Sequence, residues 1–560
     1  MPPLSPPPRK GIALFALLLA VGVLIFPGFF TLPPVDRDEA RFAQASAQMI
    51  ASGDLIDLRI QDRPRYEKPI GIYWLQTAVV SLLDAPDKIW AYRVVSALSA
   101  LAAVAMTVII ARLMLPLRTA LLAGALLGAS FILGAEARLA KTDAALLAFT
   151  LVPIWVLARL HLVGTISRAQ VALFWAMLAA ATLIKGPLAP LLVSFIALGI
   201  LAQRRNMHAL SDLRPIWGLG LYALIVVPWF IAITKVSGGM FWERSLGQDM
   251  AGKIAQGMES HGAPPGSYLA AFWLTFWPGS ALAIAALAKT LGQSSKDSKS
   301  LWQQIKAFAK SPAGGFLLAW VLPYWLIFEA VATKLLHYTL PTYPAVAILI
   351  AIGLNSAQVH PLRGPGRILA VLVAFGVPLI VAAGLYFGAA DLGLNLGKSW
   401  VIGLALALMG AGAMMWRVVR NQPTPLTSAA LLLAGLGMAI MVFPTLAAQS
   451  SLWPSNAVAQ AWQDLRAKGG PCTQAPLITT GYSETSLVFL TIGAVEFATP
   501  DRAATAIMSQ ECALIAVEAR SYAELTAMLP LNAPKSSGNI TGTNLGSGKK
   551  INLTLYTIAP

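Results

Sequence analysis

The chain has 560 residues, is 57% hydrophobic and only 12% charged, and has a mean hydropathy of +0.67. No soluble fold of that length needs so much apolar sequence, so composition excludes a soluble domain and implies a polytopic membrane protein. The formal net charge of +16 is read as positive-inside bias and attraction to anionic lipid, not as a nucleic-acid surface.

A short N-terminus ending in Arg9-Lys10 leads into the apolar run Gly11–Phe30. That run is longer than a signal-peptide core and no small-x-small cleavage site follows it, so it reads as a retained helix. Candidate spans are 11–30, 92–114, 119–135, 144–163, 169–184, 187–202, 215–234, 268–288, 313–332, 338–356, 367–388, 400–418 and 427–447, about 13 in all. Ile70–Leu83 is shorter and carries Tyr73, Trp74 and Gln76, which suits a helix lying in the interface. With the N-terminus inside, the inner loops collect Arg9, Lys10, Arg118, Arg168, Arg204, Arg205, Arg214, Lys296, Lys299, Lys306, Lys310, Arg363, Arg367, Arg417 and Arg420, against only Asp212 and Asp297. Counting 70–83 as a span would scatter the Arg-rich loops over both faces. The predicted domains are a transmembrane unit, 1–448, with juxtamembrane helices in its first outer loop, 33–90, and an outer tail, 449–560.

In the tail, Leu477–Gly481, Ala494–Phe497, Ala513–Val517 and Ile551–Ile558 read as strands, and Glu484–Thr491, Arg502–Gln510 and Tyr522–Met528 as short helices. Asn539–Ser547 is Gly/Asn/Thr-rich. The only cysteines, Cys472 and Cys512, lie here, as a disulfide if the tail is outside the cytoplasm or else as two free thiols. The tail has no catalytic constellation; it reads as a cover for the cavity, a contact for an acceptor, or neutral scaffold.

Chemistry concentrates in Val35–Pro69, which holds Asp36, Asp38, Glu39, Asp54, Asp57, Asp62 and Glu67 with Arg37, Arg41, Arg59, Arg63, Arg65 and Lys68. Charge beside a bilayer is costly unless it has a use. With Arg138, Lys141, Lys185, Arg244, Lys253 and Lys334, these outer bases run against the positive-inside bias, and as a set they point to an anion at that surface, most simply a lipid phosphate. Asp38-Glu39 is a paired carboxylate fit for a base, a metal ligand or a salt bridge; the plainer reading is that Asp36 or Asp38 caps a helix through Arg41–Ile50. Pro69 favours an extended Lys68, and Glu67 beside it is a cation ligand or a surface ion pair. Asp143, at the outer end of the third span with Arg138 and Lys141, reads as the cap of the fourth span. Lys185, between two spans with almost no loop, snorkels or faces a cavity. His261 shares its side of the membrane with carboxylates that would complete a metal site. Lys334, His337 and Tyr338 stand near Glu329 at the outer ends of the ninth and tenth spans. There is no Walker loop, dinucleotide fingerprint or zinc-finger spacing, which argues against a nucleotide-driven pump and a nucleotide-sugar enzyme.

On these motifs the chain resembles a known family. Asp38-Glu39-x-Arg41-Phe42, then Ala51-Ser52-Gly53-Asp54, then Tyr66-Glu67-Lys68-Pro69-x-x-x-Tyr73-Trp74-Leu75 is similar to the signature of the aminoarabinose transferases that modify lipid A. Those sit with the protein O-mannosyltransferases in the GT-C class of integral membrane glycosyltransferases. The patterns Lys141-x-Asp143, Leu183-x-Lys185-Gly186-Pro187, His261-x-x-Pro264 and Lys334-x-x-x-Tyr338-x-x-Pro341 follow in matching order, so the resemblance covers about residues 11–450.

The resemblance implies a mainly α, polytopic fold of GT-C type with about 13 transmembrane helices, plus a small C-terminal α/β domain outside the cytoplasm. It implies a hexosyl- or pentosyltransferase that moves a sugar, with inversion, from a polyprenyl-phosphate donor to a lipid A-like glycolipid or other acceptor at the periplasmic face of a bacterial inner membrane. The enzyme would work as a monomer among membrane lipids, without nucleic acid or nucleotide. By the same resemblance Asp38 is the catalytic carboxylate, with Glu39 beside it and Asp143 as a second acid on the cavity. Arg41, Lys68 and Lys185 hold the lipid phosphate, joined by Arg138, Lys141, Lys334 and Tyr338. Glu67 and His261 hold a divalent metal, zinc or magnesium or manganese. A polyprenyl-phosphate sugar:protein O-glycosyltransferase and a non-catalytic carrier of lipid-linked sugars are the alternatives.

Overall fold

The computed structural model describes residues 9–255, 262–294, 300–355, 362, 364–391, 396–420, 425–509, 512–530, 533–544 and 548–558. Among them, nine helices are long and apolar enough to cross a membrane: Ile89–Ala111, Asp143–Leu162, Arg168–Lys185, Pro215–Ser237, Pro312–Ala330, Leu336–Leu354, Gly364–Ala390, Lys398–Val419 and Pro425–Ala447. The pair Ser267–Thr275 and Gly279–Lys289 is apolar enough to cross together but is bent by 109°, as a broken span or a re-entrant loop would be. The other three predicted spans fall on the shorter apolar helices Gly11–Ile25, Leu117–Ala129 and Leu188–Arg204. The chain is a mainly α, multi-pass membrane protein. The exposed faces of Pro215–Ser237 and Gly364–Asp391 are apolar, as lipid-facing surface requires.

The first loop is built to hold its charges still. The helix Asp38–Ser52 starts earlier than the sequence suggests, and neither Asp36 nor Asp38 caps it. Its N-cap is Arg37, in the left-handed region at φ 68°, with no side-chain cap; Asp38 and Glu39 occupy the first turn, where the helix dipole favours acids. Gly53, at φ 72°, ends the helix by returning its N–H to the Met49 carbonyl. Arg59–Ile60 and Arg63–Pro64 then pair as a small antiparallel ribbon. The predicted interfacial segment forms the helix Gly71–Leu83. A Cβ at Gly71 would stand 2.7 Å from the Leu183 backbone, so only glycine lets this helix lie against the end of Arg168–Lys185, and that contact brings Lys68 and Lys185 to one place.

The tail forms a five-stranded sheet in the order Val495–Phe497, Leu477–Thr480, Ala513–Glu518, Lys550–Ile558, Gly538–Thr543. The first three strands are parallel and the last two join antiparallel. Gly538–Thr543 overlaps the stretch that composition marked only as Gly/Asn/Thr-rich, and the helix Pro454–Arg466 was not anticipated. Cys472 and Cys512 form a disulfide. The sheet domain packs on the first loop. Asn544 donates to Asp36 (3.0 Å) and Glu484 (2.8 Å), Ser486 donates to Asp36, and Tyr92 meets Phe489 edge-on at 5.4 Å. Burial, then the nearby Glu484, pushes the Asp36 carboxyl up to about 7.

Candidate active site

A cavity of about 1280 Å³ opens where the first loop, the corner between Arg168–Lys185 and Leu188–Arg204, the segment 241–253, residues 335–338 and the sheet domain meet. Asp38, Arg41, Glu67, Lys68, Lys141, Asp143, Lys185 and Tyr338, all singled out in the sequence, line it. Tail residues Ser483, Thr485, Val488 and Phe497 complete the wall.

The acids and cations interlock. Asp143, in the first turn of its helix, accepts from the Lys185 ammonium at 2.5 Å, so its carboxylate makes an ion pair instead of the predicted cap. Lys185 ends its own helix and is held by the reversal at Gly186, φ 67°. Its ammonium also lies 5.8 Å from the centre of the Tyr338 ring, a cation–π distance. Lys141, only 8% exposed, sits 3.0 Å from Glu136, 3.9 Å from Asp143 and 3.3 Å from His337 Nδ1. An ammonium only donates, so Nδ1 accepts and the imidazole proton falls on Nε2, the side 3.6 Å from Asp143. Burial works against the Lys141 charge, but Glu136, Asp143 and Asp38 more than offset it and hold its pKa above the ordinary lysine value. Burial likewise disfavours the Asp38 anion, yet Lys141 and Arg65, with His337 and Lys253, hold that carboxyl below its usual range. Asp38 is thus an ionised carboxylate on the cavity wall.

A second group of cations lies on the same wall. Lys68 pairs with Asp249, whose other oxygen takes the Lys253 ammonium at 2.5 Å. Burial lowers Lys68 to about 8 against the pull of Asp249. Asp249 is held down by these two lysines although burial opposes it. Its carboxylate stands between two ammonium groups, as an anionic ligand would. Glu67 accepts from Arg65 at 3.2 Å and is one-third exposed.

Three residues expected in the site are elsewhere. Glu39 is 1% exposed; both its oxygens take Arg93, at 2.7 and 2.9 Å, and it also accepts from the Val35 and Ala140 amides. It is a structural tie between loop and helices. Arg138 is wholly buried, donating to the carbonyls of Pro27, Gly134 and Leu24 with its guanidinium 4.1 Å from the centre of the Phe443 ring. It closes the end of Gly11–Ile25 and does not reach the cavity. Lys334 turns back onto the carbonyls of Glu329 and Val331, ending that helix. His261 lies outside the described residues. Lys253, one of the outer bases expected to face an anion, lies on the wall; the cavity also holds groups to which the sequence reading gave no role, His337 and Asp249 on its wall and Glu136 behind Lys141. The missed signal for Glu136 is an ionisable residue at the end of an apolar run, a few residues before a lysine.

Glu136, Asp143 and His337 offer ligand atoms within 4.8 Å of one another, a possible metal triad. The Lys141 ammonium stands within 4 Å of all three. A dication there would be repelled by that fixed charge, so the triad as built is satisfied by lysine and does not fit a metal.

Residues 67–231 match the family model described as dolichyl-phosphate-mannose-protein mannosyltransferase. The chain is 26% identical over 353 residues to the undecaprenyl phosphate-alpha-4-amino-4-deoxy-L-arabinose arabinosyl transferase of Pectobacterium atrosepticum, covering 60% of this chain and 59% of that protein. It is 26% identical over 450 residues to the protein of the same name from Pseudomonas paraeruginosa, covering 75% of each. The chain thus spans somewhat under two thirds of the first relative and three quarters of the second. The crystal structure of ArnT from Cupriavidus metallidurans bound to undecaprenyl phosphate superposes with a TM-score of 0.72 over 98% of both chains at 17% identity. That likeness establishes the shared fold, and the family resemblance read from the motifs is borne out.

Proposed function

We propose that this chain is a glycosyltransferase that moves a sugar from a polyprenyl-phosphate donor to an acceptor at the periplasmic face of the inner membrane, a lipid A-like glycolipid, with inversion. The observation that carries the reading is the cavity in which an ionised carboxylate, Asp38, shares the wall with Lys68, Lys141 and Lys185. The names of the relatives supply the donor class and favour a pentose such as aminoarabinose. Orientation is supported by the positive-inside count and by the disulfide in the tail, which suits a non-cytoplasmic compartment.

In this reading an acceptor oxygen attacks the anomeric carbon, the bond from that carbon to the phosphate oxygen breaks, and its electron pair leaves on the polyprenyl phosphate. Negative charge grows on the leaving phosphate, and lysines already fixed beside it lower the barrier without reorganising. If the nucleophile is a hydroxyl, Asp38 takes its proton; if it is an ionised phosphate, Asp38 orients the sugar and takes none. Asp143 holds Lys185 in place, and Lys141 holds Asp38 ionised. Arg41 and Tyr338 complete the wall around the phosphate. The family resemblance adds a divalent cation at Glu67 and His261. Glu67 suits one donor position, since its carboxylate faces the cavity, and such a cation would supply further positive charge beside the phosphate. Glu67→Ala should lower the metal content of the purified protein measured by mass spectrometry; unchanged content removes the cation.

The test of the activity is to incubate purified full-length protein with undecaprenyl phosphate-linked aminoarabinose and lipid A, and to weigh the lipid A. A gain of one aminoarabinose residue is expected. A protein that binds the donor lipid yet transfers nothing to lipid A, to another glycolipid or to protein is a carrier.

A further inference from the structure

A second cavity, of about 690 Å³, lies between the helix Asp38–Ser52, the ribbon Arg59–Pro64 and the edge of the sheet domain. That volume is within the range of small-molecule sites. Its walls are fastened together. Gln48 and Gln61 exchange hydrogen bonds of 2.7 and 2.8 Å between side chain and backbone, and the Gln61 amide donates to the carbonyls of Val495 (2.8 Å) and Gly493 (3.3 Å). The cavity shares Gln61, Arg63 and Phe497 with the main one, so the two chambers meet at that wall.

Two polar groups there are left unused. Gln44 lines the chamber and is only 6% exposed, yet its amide has no hydrogen-bond partner among the described residues. Arg63 stands exposed at the junction, where water solvates it, and its guanidinium has no ion pair or hydrogen bond among the described residues, unlike Arg59, Arg65 and Arg93 nearby. The rest of the Gln44 residue is buried, so an amide that opens only onto the chamber is placed to exchange its hydration for a ligand's hydroxyl or carbonyl. A free guanidinium fork at a junction between chambers suits a phosphate or carboxylate.

We propose that this second cavity is the acceptor subsite: it takes the saccharide headgroup of a phosphate-bearing glycolipid, with Gln44 on a sugar hydroxyl and Arg63 on the phosphate, and presents it through the shared wall to Asp38. The proposal rests on the glycosyltransferase reading. It gives donor and acceptor separate chambers, so neither must leave for the other to enter. It also gives the sheet domain a role, because Phe489 and 492–497 form one side of the acceptor chamber.

The experiment uses full-length protein in nanodiscs, with bisphosphorylated and dephosphorylated lipid A as acceptors and undecaprenyl phosphate as donor-site probe. Arg63→Ala should raise the KM for bisphosphorylated lipid A about tenfold and leave undecaprenyl phosphate affinity unchanged. Arg63→Lys should recover part of the loss. Dephosphorylated lipid A should bind wild type and Arg63→Ala alike. Ala51→Trp, at an exposed helix position on the chamber wall, should raise the KM for bisphosphorylated lipid A and weaken binding of both forms at an unaltered melting temperature. An unaltered acceptor KM in both variants overturns the proposal, as does an equal loss of undecaprenyl phosphate affinity, which would put Arg63 in the donor site. Direct lipid A binding separates the two claims. If the wild type transfers nothing but lipid A binding still needs Arg63, the enzymatic reading falls and the site stands. If transfer proceeds and lipid A binding ignores both variants, the site falls alone.

Discussion

Asp38 and Glu39 are neighbours in sequence and opposites in environment. Glu39 points away from the cavity into a dry junction, where Arg93 takes both its oxygens and the Val35 and Ala140 amides take what capacity is left. Asp38 faces the open chamber, where Lys141, Arg65, His337 and Lys253 act on it through space. One acid is spent on holding the loop; the other keeps its charge available. The difference shows how an unpaired-looking carboxylate can be positioned: the next residue anchors the backbone so firmly that Asp38 needs no partner of its own among the described residues.

Replacing each acid in turn separates the roles. Asp38→Asn keeps shape and removes charge. It should cut transfer by about 10²–10⁴-fold, the range of a lost acid–base or charge-stabilising group, with the melting temperature and undecaprenyl phosphate binding close to wild type. A carrier without a chemical step would be indifferent. Glu39→Gln should do the reverse. It leaves Arg93, wholly buried, without a counter-charge, which costs about 3–5 kcal/mol. A thermal melt in detergent should show a large drop, and whatever protein stays folded should turn over at near the wild-type rate. If Glu39→Gln melts normally but transfers nothing, the division of labour drawn here is wrong.

That division could not be read from the sequence, because Arg93 is 54 residues from Glu39 and nothing local distinguishes the two acids. Arg138 was misplaced for the same reason, since it donates to a carbonyl 111 residues away; Lys334 was misplaced although its partners are local, because a lysine after a helix reads alike whether it turns back onto the last carbonyls or faces a cavity. The legible parts were those with a local physical cause. Pro69 after Lys68, and Gly186-Pro187 after Lys185, force the chain to turn where the ammonium is needed, and both lysines line the cavity. Short runs bounded by turn residues gave the strands Leu477–Thr480 and Ala513–Glu518, which are buried almost throughout, and alternation gave Lys550–Ile558. The strand Gly538–Thr543 has exposed and half-buried residues only, so hydrophobic periodicity had nothing to show.

Two smaller effects sharpen the contrast between spent and available charge. Lys68 is paired with Asp249 but lies on the cavity, so a phosphate can compete for it. Lys68→Ala should weaken undecaprenyl phosphate binding by about 10–100-fold, the worth of one charge-assisted contact. Its pKa is lowered to about 8 by burial, against Asp249. The ammonium is therefore present below that value and lost above it. Undecaprenyl phosphate affinity should fall several-fold between about pH 7 and 9, and Lys68→Arg, which stays protonated throughout, should flatten the profile. A titration as steep in the Arg variant would assign the dependence to another group.

The smallest effect tests whether burial, and not pair geometry, sets the value of Glu39–Arg93. Glu496 and Arg502 make the same two-pronged contact, at 3.0 and 3.3 Å, on the sheet domain. The side chains there are 43% and 47% exposed, against 1% and 0% for Glu39 and Arg93. Water solvates either partner when the other is removed, so the exposed pair contributes at most about 1 kcal/mol. Arg502→Gln should shift the melting temperature by a degree or two at most, and less in high salt. The two substitutions break pairs of one chemistry and one geometry, so the gap between their melts measures the cost of stranding a charge inside the protein. A melt for Arg502→Gln as low as that of Glu39→Gln would mean that this ion pair stabilises by its geometry, and that the anchor beside Asp38 owes nothing to being dry.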